Sequence, residues 1–195
     1  MENHWPLKDS GIYVPPSKCV NINSVKWKAP PKDWTKLNFD GASKGNPGES
    51  GIGAIIENEH GNIIYGLYGG IGFATNNEAE IRALEVGLCL YTLHGISRII
   101  IEGDLQIIIN GVTKSNFHSW KLNKWLPQIN DHLKSIDCFE IVHVYREGNQ
   151  MVDYLANLGV GRNDDPVSFS HVLAMDDITR KCLKDYRESP CQGVG

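Results

Sequence analysis

The sequence has no apolar run near the roughly 20 residues that a membrane-spanning helix needs, so no such helix and no membrane partner are expected. Residues Met1 to Pro6 lack a basic stretch followed by an apolar one, and no secretory signal is read there. Paired cysteines are missing too. The five present, Cys19, Cys89, Cys138, Cys182 and Cys191, are odd in number and too scattered for a zinc knuckle or a redox pair. A reducing, intracellular setting, nucleus or cytoplasm, is the expectation. Cys89 falls within a helical apolar pattern and is read as a small core residue. Nor is there an excess of positive charge: 19 Lys and Arg stand against 23 Asp and Glu, a net −4. That argues against a strongly basic nucleic-acid binder and for weak non-specific affinity toward phosphate backbones. No internal repeat or low-complexity tract is visible.

What is present suits one domain with tails: 195 residues, 41% hydrophobic and 22% charged, enough for a packed core. Residues 1–34, broken by Pro15-Pro16 and Pro30-Pro31, read as an extended leader whose end Trp27 and Trp34 pin to the domain. The domain is assigned to 35–160 and a polar tail, given no chemistry, to 161–195. Lys36 to Gly41 alternates apolar with polar and predicts a strand. A turn cluster, Ser43 to Gly48, follows, then strands over 51–57 and 62–69 joined by a hairpin turn. From Asn77 the period changes. Glu80, Ala83, Leu84, Gly87, Leu88 and Tyr91 line one helical face, ended by His94-Gly95. Arg98 to Glu102 predicts a buried parallel strand. Helices are predicted over 105–110 and 119–135, a strand over 139–145 and a last helix over 151–158. The order predicts an α/β fold, a mixed five-stranded sheet (three antiparallel strands plus two parallel) with helices on both faces.

Four acidic residues sit at junctions of these elements: Asp40, Glu80, Asp104 and Asp153. Each has an ordinary reading. Asp40 precedes a turn, Glu80 could close a capping box with Asn77, Asp104 could cap the helix after it, and Asp153 could complement a helix N-terminus with Asn149 as cap. Glu78 and Glu85 lie off the inward stripe and are read as solvated, whereas Glu80 lies on it. His143 is read as packed. As a set, the four acids outline a metal site. Carboxylates brought together repel by about 4 kcal/mol per close pair at an effective dielectric near 20, and hard divalent cations with a preference for oxygen relieve that repulsion. Two loops, Ser43 to Gly48 and Thr75 to Asn77, offer backbone N–H groups and small polar side chains to a phosphate or sugar.

Four ordered segments resemble type 1 ribonuclease H: Phe39-Asp40-Gly41-Ala42-Ser43-Lys44-Gly45-Asn46-Pro47-Gly48, Ala74-Thr75-Asn76-Asn77-Glu78-Ala79-Glu80, Ile101-Glu102-Gly103-Asp104 and Arg146-Glu147-Gly148-Asn149 with Asp153. The resemblance covers about 35–160. The lead-in from Trp27 to Asp40 is similar to plant members, which occur as stand-alone proteins and in non-LTR retrotransposon polyproteins. It implies an RNase H-like fold and an endonuclease that hydrolyses the RNA strand of RNA–DNA hybrids to 5′-phosphate and 3′-hydroxyl products. It also implies two Mg²⁺ ions, with Mn²⁺ as a substitute, held by Asp40, Glu80, Asp104 and Asp153. Substrate contacts would come from Gly41, Ala42, Ser43, Asn46, Thr75, Asn76 and Asn77. The sequence departs from the bacterial pattern in having no loop histidine before Asp153, where Arg146 and Glu147 stand instead. It also lacks a Trp- and Lys-rich basic protrusion, of which Ser119-Trp120-Lys121 is a remnant. Both features resemble archaeal-type members. A monomer is expected, with a partner domain or protein supplying extra substrate affinity. Two rivals stand beside this reading. A proofreading exonuclease needs an Asp-x-Glu pair on its first strand, and Ala42 occupies the second position. The other is an inactive, domesticated nucleic-acid or protein interaction module of the same fold.

Overall fold

The alternation of Leu37 and Phe39 with Asn38 and Asp40 builds a central strand, β1 (Thr35–Gly45). The structure is a computed structural model in which residues 28–94 and 97–170 are described. Trp27, Cys19, Cys182 and Cys191 lie outside them. β1 pairs antiparallel with β2 (Gly48–Glu57), which pairs antiparallel with β3 (Ile63–Ala74). On its other side β1 runs parallel to β4 (Arg98–Gly103), and β4 parallel to β5 (Cys138–His143). The β1–β2 pairing runs on to Gly45 opposite Gly48, so the hairpin is longer than the side-chain pattern predicts. Backbone pairing continues beyond the alternating run, and on β2 Gly48 and Ser50 are still buried there.

Among the described residues the sheet has six strands, ordered β5-β4-β1-β2-β3-β6, rather than five. The sixth, β6 (Val167–Ser170), comes from the segment read as a featureless tail and pairs antiparallel with β3. Its anchor is Phe169, whose ring covers Gly66 so closely that a Cβ there would stand 2.2 Å from Phe169 Cζ.

Helices cover both faces. α1 (Asn76–Leu93) buries Ala83, Leu84, Gly87, Leu88 and Tyr91, the stripe its period predicts, against Leu37, Ala54 and Ile56. Cys89 is half-buried rather than in the core, one step off that stripe. α2 (Gln106–Thr113) follows β4. The single helix expected over 119–135 is two, α3 (Trp120–Asn123) and α4 (Leu126–Lys134). Pro127 has no N–H to give the carbonyl of Asn123, which breaks the helix at that point. On the opposite face α5 (Gln150–Gly159) packs Met151, Val152 and Leu155 with Ile55, Ile63 and Phe169. Gly53 admits it, since a Cβ there would lie 2.6 Å from the Val152 carbonyl oxygen. Among the described residues no helix is long and apolar enough to cross a membrane.

β6 is thus part of the second core. Phe169→Ala is expected to cost about 3 kcal/mol, read as a lower urea midpoint at unchanged slope; an unaltered midpoint would make β6 a surface appendage.

Candidate active site

β1 and β4 are paired only as far as Asn38 opposite Glu102. Beyond that point β1 continues along β2 while β4 ends at Gly103, so the sheet opens at the carboxyl ends of two parallel strands. Crevices at such ends are where open α/β sheets bind ligands. Asp40 stands on one lip, and Asp104, the residue after β4, on the other. Glu80 comes from the first turns of α1, and the reason it reaches Asp40 is Gly41. A Cβ at Gly41 would lie 2.2 Å from both the Ala79 carbonyl carbon and the Glu80 nitrogen, so only glycine lets the helix backbone rest on the strand. The helix start is fixed by Thr75. Its hydroxyl accepts from the Glu78 N–H (3.2 Å), and the Glu78 carboxylate accepts from the Thr75 N–H (3.1 Å), a capping box. The box therefore uses Thr75 and Glu78, not Asn77 and Glu80. Glu78, expected to be solvated, is its acid, and Glu80 is left for the cleft. Asp153 lies in the first turn of α5.

Asp40, Glu80 and Asp104 each offer an oxygen within 4.8 Å of the others. With Asp153 they share a cleft of about 260 Å³, walled by Gly41, Ala42, Ser43 and Asn76 on one side and Leu105, Arg146 and Asn157 on the other. Burial, with the charges of Asp104 and Asp153 adding to it, pushes the Asp40 carboxyl up from 3.8 to about 7, against hydrogen bonds from Glu80 and the Gly41 N–H. Burial and the neighbouring Asp40 drive Glu80 well above the carboxylate range. Asp104 is also raised by burial, with the Arg146 guanidinium pulling the other way. Glu80 Oε2 is buried with no hydrogen-bond partner among the described residues. An orphaned carboxylate oxygen beside two further carboxylates fits a hard divalent cation, whose preferred donors are oxygens.

Of the residues singled out in the sequence, the four acids, Gly41, Ala42, Ser43, Asn76 and Arg146 line the cleft. Asn46, Thr75 and Asn77 lie beside it. Asn46 Oδ1 accepts from the Asn76 N–H (3.1 Å), tying the β1–β2 turn to the start of α1. Thr75 is engaged in the capping box. Glu147 is half-buried in a 3₁₀ turn, Arg146–Gly148. Arg146 Nη2 donates to Asp153 Oδ1 at 2.7 Å. Three contributors were not foreseen. His143 Nε2 meets the Asp104 carbonyl at 2.9 Å, so this packed histidine steadies an acid's backbone. Asn157 Nδ2 donates to the Asp153 carbonyl (2.8 Å), and its i+4 spacing from Asp153 was the available signal. Asn149 starts α5 without a side-chain cap and turns its carboxamide to β1, donating to the Phe39 carbonyl (2.9 Å). Asp104 does not cap α2 either; Leu105 holds that position.

Residues 38–159 match the family described as reverse transcriptase-like. An Arabidopsis thaliana protein named for ribonuclease H is 31% identical over 68% of this chain, but the match spans only 22% of that relative's length. RNase H1 from the halophilic archaeon Halobacterium salinarum superposes with a TM-score of 0.62 at 32% identity, over 65% of this chain and 96% of that one. LC11-RNase H1, solved in complex with an RNA/DNA hybrid, gives a TM-score of 0.60 at 26% identity over 65% and 96%.

The raised carboxyls set a pH dependence. Unfolded, Asp40 loses its proton near 3.8; folded, near 7. Between those values the folded chain holds more protons, so its stability falls as pH rises. With a chelator present, the melting temperature is expected to decline across about pH 4 to 7. Millimolar Mg²⁺ should raise it, with a gap that widens as pH rises. A chelator profile that is flat or climbs across this window contradicts the assignment.

Proposed function

The chain belongs to the reverse-transcriptase-like family of ribonuclease H domains, and from that premise we propose that it is an endonuclease cutting the RNA strand of RNA–DNA hybrids, leaving 5′-phosphate and 3′-hydroxyl ends. The observation that carries this reading is the convergence of Asp40, Glu80 and Asp104 within 4.8 Å, one of them with a buried, unpartnered oxygen. Asp40, Glu80, Asp104 and Asp153 would hold two Mg²⁺ ions, or Mn²⁺ in their place. Bound there, the ions supply a water nucleophile at neutral pH and neutralise charge on the attacked phosphate.

The chain's own residues do the rest. Gly41, Ala42, Ser43 and Asn76 line the cleft, and the backbone groups of the first three and the carboxamide of Asn76 are assigned to the substrate. Donors and acceptors of this size suit sugar hydroxyls, and the 2′-hydroxyl is what tells RNA from DNA. Asn46, Thr75 and Asn77, beside that wall, are assigned to the same strands and to a DNA phosphate. Contacts of this kind carry little base sequence, so cleavage is expected to depend on the hybrid rather than on its bases. Arg146, exposed at the rim and paired with Asp153, is assigned a loop role with Glu147. The catalytic unit is placed in 35–160, to which β6 adds packing. The net charge of −4 supports a partner domain or protein that adds substrate affinity.

The test is strand-specific cleavage of labelled hybrid, double-stranded RNA and DNA duplex, with Mg²⁺, with Mn²⁺ and with chelator. Only the RNA of the hybrid should be cut, and only with metal. Asp104→Asn should lower kcat by a factor on the order of 10³ while leaving the melting temperature in chelator at or above wild type, because a repelling charge is gone. An intact hybrid in both metals, with binding retained, would instead make the chain an interaction module.

A further inference from the structure

Lys36, Asn38 and Asp40 alternate with Leu37 and Phe39 along β1 and share its other face. Below Asp40 this face holds an unbroken polar chain. Lys36 Nζ lies 2.9 Å from Glu102 Oε1. Asn38 Nδ2 donates to Glu102 Oε2 (3.1 Å) and to Asn149 Oδ1 (3.4 Å). Asn149 Nδ2 donates to the Phe39 carbonyl (2.9 Å), one residue before Asp40. The Asn149 carbonyl accepts from the Asp153 N–H (3.1 Å). Lys36, Asn38 and Asn149 are 3%, 3% and 1% exposed.

We propose that this buried chain is a positioning network for the acidic cluster, in which Asn149 clamps the start of α5, and with it Asp153, to the strand that carries Asp40. The proposal rests on reading that cluster as a metal site. Burying an ion pair and two carboxamides stabilises a fold less than apolar groups of the same volume would. Asn38 Oδ1 adds to the cost, being buried without a partner among the described residues. What the chain supplies is registry. Asn149 gives its side chain to β1 and its carbonyl to α5, so the separation of two acids on different elements is set through one residue. Lys36 neutralises Glu102, which would otherwise place a fifth carboxylate under the four. Polar groups behind metal ligands orient them, and their loss weakens metal binding.

The test compares Asn149→Ala with Val152→Ala, a change on the same helix at a fully buried apolar position outside the network. The full chain is titrated calorimetrically with Mg²⁺ in the absence of nucleic acid, alongside thermal unfolding and steady-state cleavage. Asn149→Ala is expected to bind Mg²⁺ about 10- to 100-fold more weakly and to lose kcat at unchanged KM for the hybrid. Val152→Ala is expected to lose melting temperature and keep its Mg²⁺ affinity. Unchanged affinity in Asn149→Ala, or equal losses in both variants, overturns the proposal. If Asn149→Ala does not fold, Asn149→Ser, whose hydroxyl is too short to reach the Phe39 carbonyl, is measured in its place by the same criteria. A wild-type chain that binds no Mg²⁺ removes the metal-site reading itself, an outcome distinct from wild-type binding that Asn149→Ala leaves intact.

Discussion

Asp40 and Glu80 are brought together by a backbone contact. Both are buried and carry like charge when ionised; Asp40 lifts the proton affinity of Glu80, while the hydrogen bond from Glu80 lowers that of Asp40. With both ionised they would repel. What keeps them adjacent is the seat of α1 on β1 at Gly41, where strand and helix backbones meet without a side chain between them. The energy for that seat comes from the apolar stripe of α1 packed on Leu37, Ala54 and Ile56, well away from the acids. The fold drives the carboxylates together, and a proton or a cation must then relieve the strain. That is how a site can be poised for metal before any metal arrives.

The same device recurs on the other face. α5 lies on β2 at Gly53, where its backbone reaches the strand as α1's does at Gly41. Helices that rest directly on a sheet have little freedom to slide, because any shift drives backbone into backbone. Both helices begin at the end of the sheet where β1 and β4 part, so their first turns face the crevice from opposite sides. Glu80 and Asp153 therefore enter one cleft although they belong to different layers.

How much of this was legible in the sequence followed the range of the interactions involved. Local periodicity exposed β1, α1 and the inward place of Glu80, because Leu37, Phe39 and the stripe through Tyr91 record burial directly. The order of strands and helices implied the neighbouring β1 and β4, and with it the approach of Asp40 to Asp104. Long-range complementarity stayed hidden. Val167 to Ser170 is too short to signal a strand, and the seat of Phe169 is made by residues far away in the chain, Gly66 among them. Asn149 reads as a helix cap until its partner at Phe39, 110 residues away, is seen. Pro127 was in plain view, yet apolar residues on either side of it masked the break between α3 and α4. The capping box read at Asn77 and Glu80 belongs one step earlier in the chain: Thr75-x-x-Glu78 fits the same pattern, and the helix start at Thr75 makes it the one that forms.

The four acids are not held alike. Asp40 and Glu80 are buried and set by packing, whereas Asp104 and Asp153 are half-exposed and held by hydrogen bonds made at their backbones: His143 on the Asp104 carbonyl, Asn149 and Asn157 on the Asp153 peptide groups. Two of the proposed ligands are thus enclosed and two border solvent. The enclosed pair and Asp104 carry raised proton affinity and must be deprotonated for a cation to enter. On the solvent side Arg146 already balances Asp153. In the proposed reaction an arriving phosphate would bring negative charge to the solvent side first, and there it would meet a guanidinium instead of a bare carboxylate. For a chain with a net charge of −4, that local pairing would matter more than in a basic protein, since long-range attraction toward a nucleic acid would be weak and screened within about 10 Å at ordinary salt.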